Sequence, residues 1–144
     1  MLSVMKKIKR ALLKLSGEAL SDKKGNAFDF NKIDAVAKQI IGLTNAGIQL
    51  GVVIGGGNIW RGRSSGDMDR PQADNMGMLA TVINSLALQD SLERLGAGAV
   101  VVCSVEMPKI AESFNKHKVE KYFAEGKTVI CAGGTGNPFF TTDT

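Results

Sequence analysis

Histidine is nearly missing from this chain, and several other scarce residue types close off whole classes of chemistry. Among 144 residues there are one histidine, two cysteines, three prolines, one tryptophan and one tyrosine. The sole histidine, His117, lies in a charged helical stretch, which argues against a cysteine–histidine nucleophilic pair. Cys103 and Cys131 each close a β-branched apolar run, so the expectation is two core thiols rather than a disulfide. Aromatics make up 6% of the chain. They do not interleave with basic residues, so no nucleic-acid partner is expected.

Long hydrophobic runs are also lacking. No apolar stretch approaches the ~20 residues needed to span a membrane. "ALLKL" is too short for a signal peptide and is interrupted by Lys14. The expectations are therefore no membrane partner and a cytoplasmic location. The length bounds the chain at one domain, covering residues 1–144.

What is abundant is glycine, at 17 residues, in a chain that is 44% hydrophobic and 22% charged. Such values are ordinary for a globular domain, and the glycines hint at binding loops made of backbone. The net charge is +4. The basic residues that gather early (Lys6, Lys7, Lys9, Arg10, Lys14) read mainly as a solvated strand edge, though they suit an anionic partner.

Periodicity predicts a repeated strand–helix order. "KIKRALLKL" reads as a strand ending near Leu15, followed by a small, polar loop over residues 16–26. Residues 30–46 have helical spacing, with Asp29 as cap and Gly47 as stop. "IQLGVVI" is a buried strand that runs into "GGGN", and residues 61–70 read as a surface loop. A helix over residues 74–95 opens on Asp74 and stops at Gly96. Its apolar residues form two stripes, Leu79, Val82, Ile83 and Leu86 and then Leu88, Leu92 and Leu95, so it should be buried on two sides. "AVVVCSV" is a third strand, residues 108–125 a helix, and "KTVICAG" a fourth strand.

That order predicts an α/β fold: a largely parallel sheet flanked by helices in three αβα layers. Binding loops in such folds sit at the carboxyl ends of the strands. Four segments fall there: "SGEAL", "GGGNIWRGR", "SVEMP" and "GGTGNPFFTTD". The last stretch reaches the N-cap residues Thr142, Asp143 and Thr144 with no helix after it. The expectation is a truncated fold with one sheet face partly bare.

From Gly57 the order GNIWRGRS imitates a phosphate-binding P-loop, but arginine stands where lysine belongs, and the two are not interchangeable. The dinucleotide fingerprint fails because its third glycine position falls on Trp60. What survives is simpler. Gly55, Gly56 and Gly57 let backbone amides approach phosphate oxygens, with Arg61 and Arg63 adding charge-assisted bonds. A tight turn alone would use the same glycines. Lys14 reads as a lysine in a buried strand facing that loop, costly without an anion; a strand-end lysine reaching back to water is the alternative. Asp74 reads as a helix cap or as an acceptor for sugar hydroxyls.

Taken together, "LLKLSGEAL", "GVVIGGGNIWRG", "ADNMGMLATVIN" and "GTGNPFFTTDT" closely resemble the bacterial uridylate kinase family of the amino-acid kinase superfamily. The resemblance runs from about Lys9 to Thr144 and covers only the N-terminal part of such enzymes. It implies transfer of the γ-phosphoryl group of ATP to uridine monophosphate (UMP), with Mg2+, in pyrimidine nucleotide biosynthesis. Lys14 and Asp143 would be catalytic, Asp143 orienting Lys14. Lys14, Leu15, Ser16, Gly17, Gly57 and Arg61 would meet ATP. Gly56, Asp74, Thr135, Gly136, Asn137, Pro138, Phe139, Phe140, Thr141 and Thr142 would enclose UMP. Homohexamers built from dimers are the assembly the resemblance implies. The adenine pocket would lie outside this chain, and this stretch alone is expected not to turn over. A non-catalytic UMP-binding module, or a kinase for another acceptor, are the competing readings.

Overall fold

The computed structural model describes residues 7–61 and 66–134. Among the described residues the strands are β1 (Arg10–Leu15), β2 (Gln49–Ile54), β3 (Ala99–Cys103), β4 (Glu112–Ser113) and β5 (Thr128–Ala132). The helices are α1 (Phe30–Asn45), α2 (Arg70–Arg94) and α3 (Lys116–Ala124), with a short 3-10 turn at Gly17–Leu20. Every strand pairing is parallel, and the order across the sheet is β1-β2-β5-β3-β4.

This order places the helices. Going from β1 to β2 and from β2 to β3, the chain moves across the sheet in one direction, so right-handed crossovers put α1 and α2 on the same face. Going from β4 back to β5 reverses direction and puts α3 on the opposite face. The packing agrees: α1 meets α2 and β2, α2 meets β2, β3 and β5, and α3 meets β2 and β5. The predicted three-layer parallel α/β fold is therefore present.

Local chemistry sets the helix ends. The Asp29 carboxylate accepts from the amides of Asn31 and Lys32 at 3.0 and 3.3 Å, satisfying donors that the first turn of α1 cannot. Ile33, Ala37 and Ile40, spaced for one face, are buried. Gly47 and Gly96 follow α1 and α2 with φ of +90° and +88°, the left-handed geometry that ends a helix at little cost to glycine.

Two boundaries and one burial pattern differ from the periodicity. Helix α2 begins at Arg70, not at Asp74; Pro71 sits in its first turn, where a missing amide hydrogen costs nothing. The predicted helix over 108–125 is a turn, then β4, then the shorter α3, capped by Asn115, whose side chain accepts from Lys118 N at 3.1 Å. Helix α2 is also not buried on two sides among the described residues. Leu88 and Leu92 are fully buried, whereas Leu79 is 51% and Ile83 46% exposed.

The sheet faces are unequal. Leu50, Val52 and Ile54 alternate toward α1 and α2 and are buried with Val101 and Ile130. The alternate residues face α3. There Leu12 is 70% exposed, and Val53 and Cys131 are only partly covered. Between Leu12, Gly51, Val119, Phe123, Val129 and Cys131 runs an apolar groove of about 290 Å³. The expected partly bare face is this one. No helix among the described residues is long and apolar enough to cross a membrane.

Candidate functional site

Because all strands are parallel, their carboxyl ends share one edge, and two glycine-bearing loops meet there. Gly55 N donates to Leu15 O at 2.9 Å, which carries the β1–β2 register past the last strand residues. Beyond that bond the loops touch backbone to backbone. A Cβ on Gly17 would lie 2.4 Å from Asn58 Oδ1 and 2.6 Å from Gly55 O, so no side chain fits. Arg61 spans the same junction. Its guanidinium lies over Gly57, 3.4 Å from where a Cβ would stand, and forms an ion pair with Glu18 in the facing loop.

The glycine loop is moored to α2. A Cβ on Gly56 would lie 2.8 Å from Ala80 Cβ and 3.1 Å from Gly77 O. Gly56 O accepts from the amides of Ile59 and Trp60, both at 3.0 Å, closing the turn. The Trp60 indole N–H then donates to Ala73 O at 3.0 Å, pinning the end of the loop beside Asp74. Beneath it, Asn58 and Asn84 exchange side-chain bonds of 2.8 and 3.1 Å. Asn84 Nδ2 also donates to Gly55 O at 2.7 Å, and Asn58 Nδ2 to Ala27 O at 2.9 Å. Asn84 is fully buried, and its amide is satisfied within this network.

At the same edge β5 runs into Gly133 and Gly134, with φ of +86° and +57°. Gly133 N donates to the buried Thr81 hydroxyl at 2.8 Å. The remaining segment, "SVEMP", contributes an apolar wall. Val105 and Met107 line a cavity of about 310 Å³ with Asn75, Met78, Leu79 and Val82.

The sequence-predicted residues fare unevenly. Leu15, Ser16, Gly17, Gly56, Gly57 and Arg61 do converge at one edge. Lys14 is close to it in sequence, but the expectation of burial is wrong. It is exposed on the outer sheet face, because β1 is an edge strand and α3 does not reach over it. Asp74 does not open its helix either. It sits a turn inside α2, with Arg70 Nε 3.8 Å from its carboxylate, while Asp69 takes the cap position without a side-chain cap bond. Thr135, Gly136, Asn137, Pro138, Phe139, Phe140, Thr141, Thr142 and Asp143 lie outside the described residues, as does Arg63.

Sequence reasoning missed Glu18, Asn58, Thr81 and Asn84. For Thr81 and Asn84 the available signal was polar residues at helix positions whose spacing demands burial; Glu18 and Asn58 lie in loops and carried none. The cysteines are both free. Burial pushes the Cys131 thiol up, away from thiolate chemistry.

The family model described as the amino acid kinase family matches residues 9–144. The chain belongs to that family. It is similar to the crystal structure of UMP kinase from Ureaplasma parvum, with 37% identity and a TM-score of 0.88 over 95% of this chain. It is likewise similar to UMP kinase from Bacillus anthracis, with 39% identity and a TM-score of 0.90 over 96% of this chain. Aspartate kinase from Synechocystis, at 17% identity and a TM-score of 0.62, covers 85% of this chain and 21% of its own length, and shares the fold alone. This family member spans 61% and 58% of the two UMP kinases it matches.

Proposed function

We propose that this chain is the acceptor- and phosphate-binding part of a uridylate kinase that moves the γ-phosphoryl group of ATP to UMP, giving UDP and ADP. The observation that carries the reading is the junction of the two loops. At Gly17, where a Cβ would run into Gly55 O and Asn58, and at Gly56, packed on Ala80 and Gly77 of α2, the loops leave no room for a side chain, in a chain 37% and 39% identical to UMP kinases. Phosphoryl transfer asks for positioning and charge neutralisation rather than covalent help, and backbone amides with an arginine supply both.

In this reading Arg61, now paired with Glu18, turns to the phosphates that pass between donor and acceptor. Lys14 and Leu15–Gly17 meet the ATP phosphates, with Gly57 beside them and Gly56 on the acceptor side. Asp74, next to the Trp60 anchor at Ala73, accepts from the ribose hydroxyls. Residues 135–142 complete the acceptor pocket, and Asp143 orients Lys14. Magnesium arrives with the nucleotide. Among the described residues no group of three or more His, Cys, Asp or Glu could hold a metal, so no protein ligand is assigned to it.

The exposed Leu79 and Ile83 on α2 support a homodimer contact within a larger oligomer, and the enzyme is proposed to be cytoplasmic. A second reading is a UMP-binding module that keeps the acceptor loops without turnover.

Titration calorimetry with UMP, cytidine monophosphate and ATP, beside an assay for UDP, tests both. Selective UMP binding with little ATP binding and no UDP supports an acceptor half that needs further sequence. Preference for a different acceptor would sink the uridylate assignment.

A further inference from the structure

Gly77, Ala80, Thr81 and Asn84 stand at i, i+3, i+4 and i+7 of α2 and so share one face of the helix. Each touches either the glycine loop after β2 or Gly133, just past β5. Gly77 and Ala80 abut Gly56, Asn84 bonds Gly55 O and Asn58, and Thr81 accepts from Gly133 N. Thr81 Oγ1 also donates to Met78 O at 2.6 Å, which fixes its lone pairs toward Gly133. Thr81 and Asn84 are buried where the inner stripe of a helix is ordinarily aliphatic. Polar groups there are costly unless fully bonded, and these are.

We propose that Thr81 and Asn84 are positioning residues: through them α2 holds the glycine loop after β2 and Gly133, just past β5, at a fixed separation for a nucleoside monophosphate. The three residues from Thr81 to Asn84 amount to about 4.5 Å of helix rise, so the separation is set by a rigid element. Neither side chain need touch the ligand; each acts through the backbone it bonds. The ligand class rests on the uridylate reading, whereas the coupling of the loops does not.

Amide hydrogen exchange on the 144-residue chain tests the coupling without ligand. Thr81→Val keeps the shape and removes the acceptor; Thr81→Ser keeps the acceptor. Loss of the bond should speed exchange at Gly133 N–H on the order of tenfold. Because each loop has its own bonds to a rigid α2, Ile59 and Trp60, bonded to Gly56 O on the other loop, should stay near wild type in Thr81→Val. The amides of β2 and β5 should not change, and Thr81→Ser should behave as wild type. Asn84→Leu should produce the mirror result, speeding Ile59 and Trp60 and sparing Gly133. Should that variant not fold, the Thr81 pair decides alone. Unchanged exchange at Gly133 in Thr81→Val, or changes spread evenly over the sheet, would overturn the coupling of both loops to α2.

Calorimetry with UMP then addresses the ligand. Thr81→Val should weaken binding about three- to tenfold, with Thr81→Ser near wild type. Wild-type affinity in Thr81→Val would remove the positioning role. No UMP binding by the unsubstituted chain would instead remove the uridylate reading, while the exchange result still decides whether α2 couples the loops.

Discussion

The two faces of the sheet are built from the same five strands and end in different states. On one face α1 and α2 seal Leu50, Val52, Ile54, Val101 and Ile130 from water. On the other, α3 covers the row through Gly51 and Val129 and leaves Leu12, Lys14, Val53 and Cys131 in contact with solvent to different degrees. The strand sequences already differ between the faces: in β1 and β2 the open side carries Arg10, Lys14 and Gln49 beside Leu12, Gly51 and Val53, whereas the closed side is apolar. The helices laid across the strands differ in the same sense, 16 and 25 residues long on one face and 9 on the other.

The contrast is measurable. Leu88→Ala opens a cavity under α2 and should cost about 2–5 kcal/mol in denaturant unfolding. Leu12→Ala on the open face should cost less than ~0.5 kcal/mol. A cost for Leu12 close to that of Leu88 would mean that this face is covered in solution. Next in size, Gly17→Ala forces a Cβ into Asn58 and Gly55 O and should cost about 1–3 kcal/mol. It should weaken nucleotide binding more than Leu88→Ala does at equal residual stability, as calorimetry would show.

The two cysteines provide a further comparison without altering stability. Cys103 belongs to the closed core and Cys131 lies on the groove. Alkylation followed by mass spectrometry should modify Cys131 first, and slowly, because burial holds its thiol protonated. Labelling of Cys103 first would reverse the assignment of the faces.

The smallest effect concerns pH. Asp34, on α1, lies below the usual carboxylate range because Ser91 and Arg94 of α2 bond it. Glu120, on α3, is lowered in the same way by Arg10 of β1. A carboxylate whose folded pKa is depressed contributes above its unfolded pKa, and the contribution is lost as pH falls through the folded one. Stability should therefore decline on acidification below the ordinary carboxylate range. Asp34→Asn and Glu120→Gln should each flatten that decline, and both effects should shrink in high salt. An unchanged acid profile in both variants would refute the link.

Much of the architecture was legible because it rests on local rules. Asp29, Gly47 and Gly96 mark helix ends by chemistry confined to a few residues, and β-branched runs mark the strands. What was not legible depends on the third dimension. The two residues of β4, Glu112 and Ser113, carry no period of their own and exist because β3 pairs with them. Lys14 looks buried in an apolar string, but its exposure depends on how far α3 extends. Arg61, Gly56 and Gly57 could be read as a phosphate loop, whereas the Asn58–Asn84 exchange joins residues far apart in sequence and is visible only once α2 lies under that loop.

The position of β5 has a consequence for how the chain acquires this fold. It is the last of the described strands in sequence and sits in the middle of the sheet, between β2 and β3. Until it arrives, β1–β2 and β3–β4 are two separate pairs, each with an unpaired edge facing the gap. During synthesis those edges wait while the residues up to Ala132 are made, and non-local parallel pairing is slow. Insertion of one strand then satisfies both edges at once. Partial folding of this chain should leave two sticky halves, and its commitment to the native sheet is a single late event.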